Sequence, residues 1–223
     1  MPLNIDEKIR RFRFYVETRQ IGLAECLGRH FEDKDDETPF KQSGFVILSI
    51  ASAYFEMIQQ FIDGEESARE ENNGTFRSFS WDFFKRGFKD VYPGQQWTDD
   101  AIRKIYKIVR CGMYHGGMPK MGCHLSRDFK PGIHLCRGEI HINPAALVRE
   151  IHEHFNNYID SLKVDAKKQA NFVAMCESMG FDDDAVSGTH CDTPGGTIFT
   201  TTTSNPHAPG DEPMSWHVET EEV

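Results

Sequence analysis

Arg110 and His115 stand five residues apart in the run Ile105-Tyr106-Lys107-Ile108-Val109-Arg110-Cys111-Gly112-Met113-Tyr114-His115-Gly116-Gly117. A guanidinium is planar, permanently charged and able to hold two phosphate oxygens at once. An imidazole is the side chain that titrates near neutral pH and so can carry a proton in either direction. An anion-binding group and a proton carrier near the end of one helix are candidate functional residues; a surface arginine and a helix-terminal histidine beside the dipole are the plainer account. Arg103 and Lys107 fall at i and i+4 to Arg110's i+7, so a helix puts all three on one polar stripe. Both are candidate substrate-binding residues, although pairing with Asp99 and its neighbours on a solvated face accounts for them more simply. Glu56 is the one charge in a very apolar segment and needs a partner if buried. It is a candidate for orienting Arg110, set against an ordinary boundary position.

A second group of chemically active side chains follows: Cys111, His115, Cys123, His124, His134, Cys136 and His141. His134, Cys136 and His141 would share one face of a hairpin, a reasonable alternative set of zinc ligands for a small structural zinc protein. The C-x-x-C spacing of familiar zinc modules is absent, so the leading expectation is no metal and no cofactor, with free thiols and exposed histidines. Arg10, Arg11 and Arg13 alternate with Phe12 and Phe14. An amphipathic helix explains that pattern better than a nucleic-acid surface does.

These residues need elements to hold them. Residues 5 to about 31 have helical apolar spacing (Ile9, Phe12, Val16, Leu23, Leu27), ending in the charged run Glu32–Pro39. Phe40 to Ile62 reads as a central helix, apolar on nearly all sides, closed by Gly64. Glu65 to Val91 is less regular, broken near Asn72-Asn73-Gly74 and rich in aromatics from Phe76 onward. The helix carrying Arg110 has the clearest signals: Thr98 as N-cap, Asp99 and Asp100 at its positive end, and Gly116-Gly117 as its stop. On a straight helix, five residues turn Arg110 and His115 about 140° apart. Gly112, a loosened last turn, or a second subunit would then be needed to complete a site.

Alternation from Ile133 to Ile142 around Arg137-Gly138 predicts a tight hairpin with His134 opposite His141. Asn143-Pro144 starts a long helix with the stripe Leu147, Ile151, Phe155, Tyr158 and Leu162. Lys167 to Met179 extends it or forms a shorter helix.

The chain has 223 residues, 39% hydrophobic and 12% aromatic, enough for one globular core. Its net charge of −10 is unevenly placed. From Glu177 to Val223 there are ten acids and no Lys or Arg, which leaves 25 of each sign in the remainder. The acidity belongs to a tail, expected to be largely flexible over residues 181–223 and capable of covering a phosphate site, while residues 1–180 form the body. No secretion leader is evident, and six cysteines fit a reducing, cytoplasmic compartment without a membrane span. Walker, dinucleotide and nucleophile-elbow motifs are missing, which argues against those enzyme classes.

The Arg110–His115 helix resembles the signature helix of HEPN domains, which carry Arg, four to six residues, then His, late in a bundle helix. The resemblance covers roughly residues 5–179. It implies an all-α, HEPN-like helical bundle, here with a small β-hairpin inserted before the last long helix. It also implies a homodimer that brings two Arg–His pairs together, and RNA or a nucleotide as ligand. In the active branch the activity is metal-independent RNA cleavage that leaves a cyclic phosphate, in defence or toxin–antitoxin settings, often under a regulatory protein partner. Arg110 would then hold the phosphate and His115 would act as general acid or base. Active members often have a polar residue after the Arg, where this chain has Cys111. Members without catalysis act as nucleotide-, RNA- or protein-binding modules.

Overall fold

Asn4 opens the first helix by accepting a hydrogen bond from the Glu7 backbone N–H at 2.9 Å. Asp6 and Glu7 in its first turn, and Arg10, Arg11 and Arg13 in its last, complement the helix dipole. This helix, α1 (Ile5–Arg13), runs through a π-helical stretch, Phe14–Ile21, into α2 (Gly22–Glu32). The structure, a computed structural model, describes residues 3–70 and 76–181. The break expected near Asn72-Asn73-Gly74 and the expected acidic tail, apart from Phe181, lie outside the described residues.

A short 3₁₀ turn, Pro39–Gln42, leads into α3 (Gly44–Asp63), against which α2 packs. Ile47, Leu48, Ala51, Tyr54, Phe55, Ile58 and Phe61 are all buried. By length and composition α3 could cross a membrane, but about half of it is covered by other elements, and its buried positions include Glu56 and Gln59. It packs as a core helix.

After α3 come two short antiparallel strands, β1 (Ala68–Glu70) and β2 (Phe76–Ser78), paired Ala68 to Ser78. Then α4 (Ser80–Val91) lies directly against α3. The approach is so close that a Cβ at Gly87 would sit 1.9 Å from the Phe55 carbonyl oxygen, so no larger residue fits. Phe55, Phe84, Phe88, Tyr92 and Trp97 stack edge to face and tilted at this crossing.

Thr98 caps α5 (Asp99–Ile105), its hydroxyl accepting from the Ala101 N–H at 3.2 Å. A second π-helical stretch, Tyr106–Arg110, joins α5 to α6 (Cys111–Gly116), so the expected single helix is continuous but locally widened. Gly117, at φ 67°, ends it. Asp99 pairs with Lys85 and Lys89 of α4, which takes the place of the pairing considered for Arg103 and Lys107.

The hairpin forms as the alternation predicts. β4 (Ile133–Cys136) and β5 (Glu139–Ile142) pair with His134 opposite His141, turning at Arg137 (φ 50°) and Gly138 (φ 81°). The expectation of a hairpin alone is corrected: β3 (Cys123–Leu125) runs parallel to β5, giving a three-stranded sheet in the order β3-β5-β4. Ile133, Ile140 and Ile142 face the core.

Asn143 then does two jobs. Its Oδ1 accepts from the N–H groups of Ala145 and Ala146, starting α7 (Pro144–Ser161). Its Nδ2 donates to the Arg127 and Phe129 carbonyls, fixing the loop before β4. Asp165 caps a separate last helix, α8 (Ala166–Ser178). α7 and α8 pack on α3, where Phe12, Phe61, Phe155 and Phe172 form the second aromatic cluster. The fold is mainly helical with a small three-stranded sheet, plus the β1–β2 pair.

Candidate functional site

Glu56 sits on α3, only 8% exposed, with both carboxylate oxygens occupied. Ser67 donates its hydroxyl to Oε1 at 2.7 Å, and Ser80 donates to Oε2 at 2.6 Å. Arg110 donates Nη2 to the same Oε2 at 2.8 Å. Tyr106 donates its hydroxyl to Ser80 Oγ at 3.1 Å, and burial pushes the Tyr106 phenol's pKa up. A buried carboxylate is costly unless paired and hydrogen-bonded, and here three donors from three separate segments satisfy it. The orienting role considered for Glu56 therefore has its geometry: the carboxylate fixes one edge of the guanidinium. Cys111, next along, lies beside the Tyr106 hydroxyl.

On its other side Arg110 meets Tyr114, one helical turn on. The guanidinium carbon is 4.5 Å from the ring centroid, a cation–π contact. Tyr114 in turn meets His115 edge to face, with centroids 4.9 Å apart. His115 is exposed. Among the described residues no hydrogen bond or ion pair joins Arg110 to His115. The Tyr114 ring is what links them. The π stretch ends at Arg110 and does not run between the two residues, so regular α6 leaves their angular separation of about 140° in place. Gly112 does not loosen the turn either. It lets the returning chain pack close, since a Cβ there would be 2.8 Å from the Met118 carbonyl oxygen, and the Lys120 N–H donates to the Ile108 carbonyl at 2.9 Å.

Arg103 stacks on Trp81 at 4.7 Å. Trp81 also touches Tyr106 and follows Ser80, so Arg103 borders the Glu56 network. Lys107 is exposed. The basic cluster on α1 is engaged as a helix face: Arg10 and Arg11 pair with Glu7, and Arg13 pairs with Glu17.

The histidines of the sheet line up across one of its faces. His124 and His134 flank His141 at centroid distances of 5.2 and 5.1 Å, each pair tilted by 22°. Phe129 meets His134 and His141 edge-on, and His124 Nε2 lies 3.3 Å from Glu139. Among the described residues, His134 Nδ1 and His141 Nδ1 are buried and find no hydrogen-bond partner. A ring nitrogen's lone pair lies in its own ring plane, so nearly parallel rings do not converge on one ion. Cys136 is exposed at the strand end opposite Glu139, and burial pushes the Cys123 thiol up to about 11, away from thiolate chemistry. Among the described residues no three His, Cys, Asp or Glu side chains are grouped to hold a metal ion.

Sequence reasoning points to Arg110, His115 and Glu56 but misses Tyr114, Ser67, Ser80 and Tyr106. Tyr114 has a usable signal, its i+4 spacing from Arg110. The serines have none, because their role depends on how β1 and β2 return the chain to α3. Comparison of the chain with known families, with curated proteins and with solved structures finds no match, so a functional reading of this site rests on its residues alone.

Proposed function

We propose that the chain is a HEPN-like, metal-independent endoribonuclease of the cytoplasm, working as a homodimer in a defence or toxin–antitoxin role. The observation that supports it is the setting of Arg110. Glu56 holds one edge of its guanidinium, and an exposed titratable ring stands one residue beyond its stacking partner. In this reading the ribose 2′-oxygen attacks the adjacent phosphorus, and the bond to the 5′-oxygen breaks. Arg110 carries the charge that builds on the phosphate oxygens, and His115 acts as general acid or base. A second chain completes the cleft that regular α6 leaves open within one chain.

A second reading has its own support: a binding module without catalysis. Glu56 already neutralises Arg110, and Cys111 stands where a polar orienting residue would assist it. Purified protein in EDTA distinguishes the two. His115→Ala changes an exposed ring, so melting should stay unaltered while RNA cleavage falls at least about a hundredfold. Arg110→Ala should do the same to cleavage. Cleavage that survives both substitutions removes the site assignment. No cleavage by the unaltered chain, with ligand binding still dependent on Arg110, selects the binding module.

A further inference from the structure

Tyr114 is 72% exposed, although it stands beside a largely buried ion pair. The Arg110 guanidinium lies over one face of its ring, and the His115 imidazole stands perpendicular to it with centroids 4.9 Å apart. With 72% of the residue exposed, most of the ring not covered by Arg110 is open to solvent, and the ring has two neighbours to hold it. An aromatic ring fixed in this way loses little conformational freedom when a second planar group settles on it. Nucleobases are such groups, and every base presents a π face. The open face is separated from Arg110 by one ring thickness, so a base there and a phosphate at Arg110 can belong to the same nucleotide. Met118 and Met121, both exposed, stand on the chain that returns over Gly112.

Resting on the phosphate-binding reading of Arg110, we propose that the open face of Tyr114 is a stacking platform for the nucleobase whose phosphate Arg110 holds. Stacking tolerates any base, so the platform favours nucleotides over bare sugar phosphates without selecting a sequence.

The test uses the full chain and two uncleavable probes. One is a short 2′-O-methyl RNA, whose attacking hydroxyl is blocked. The other is the same backbone with its bases removed. The unaltered protein should bind the base-bearing probe about tenfold more tightly, as one base–aromatic stack implies. Tyr114→Leu should erase that preference, weakening the base-bearing probe about tenfold more than the abasic backbone. Tyr114→Trp should keep it. A preference that persists in Tyr114→Leu overturns the platform. Equal weakening of both probes also overturns it, because the ring would then only brace Arg110. A base preference lost in Tyr114→Leu in a protein that cleaves no RNA upholds the platform and sinks the catalytic reading. Cleavage by a protein whose preference ignores Tyr114 does the reverse. No binding of either probe at millimolar concentration sinks the platform together with the phosphate site.

Discussion

Glu56 is where three stretches of chain meet on one carboxylate. Removing it leaves Arg110, Ser67 and Ser80 without their acceptor in a mostly dry site, which costs more than the bonds were worth while intact. Glu56→Ala should lower stability by about 3 kcal/mol in chemical denaturation. A loss under about 1 kcal/mol would show that water already reaches the carboxylate. A lone charge in an apolar run announces that Glu56 needs a partner, and Arg110 is that partner. Helical spacing alone is enough to name Tyr114. The two serines are illegible, because each is unremarkable where it stands in sequence. His134 and His141 show the opposite case: their facing positions are legible from the hairpin turn, but the parallel packing of their rings is not.

At the level of elements, α3, α4 and α7 are fastened by a chain of side chains. The Tyr54 hydroxyl lies 2.8 Å from His154 Nδ1, and His154 Nε2 lies 2.9 Å from Asp90. The His154 hydrogen bond holds the Asp90 carboxyl below its usual range, against the opposing effect of burial. A depressed folded pKa stabilises above the unfolded value of 3.8 and is lost as pH falls through the folded value. The stability difference between the unaltered chain and Asp90→Asn should therefore be full at about pH 5 and fade below 3.8, followed by thermal melting. A difference that grows on acidification would contradict the assignment. Elements with local grammar are readable: the Thr98 and Asn143 caps, the Arg137-Gly138 turn and the closure at Gly64. Strand β3 is not, being three residues long and completed only by a parallel partner remote in sequence. The two π stretches also escape, since tertiary packing decides where a helix takes up an extra residue.

Across the described residues, two aromatic clusters packed on α3 hold the helices together; the periodic stripes name Phe12 and Phe155 among their members, and the apolar run of α3 contains Phe55 and Phe61. Charge is legible too, once the ten acids from Glu177 onward are set apart, because the residues before them carry 25 charges of each sign. That balance, together with the Glu56–Arg110 pair, bears on how a polyanion would reach the site. The guanidinium that the proposed reading assigns to a phosphate is already neutralised by its own carboxylate, and nothing in the charge balance of the residues before Glu177 draws an anion from afar. With the acidic residues from Glu177 onward adding only repulsion, encounter would proceed no faster than the unsteered rate of about 10⁵–10⁶ M⁻¹s⁻¹. With one or two phosphates of a single strand engaged, raising salt from about 50 to 200 mM should weaken RNA binding by only about 3- to 7-fold, against roughly 10³–10⁵ for proteins that grip many phosphates. A titration of affinity against salt measures this directly, and a steep slope would reveal a cationic track elsewhere on the surface. On the proposed reading, the ligand would be found by collision and kept by fit.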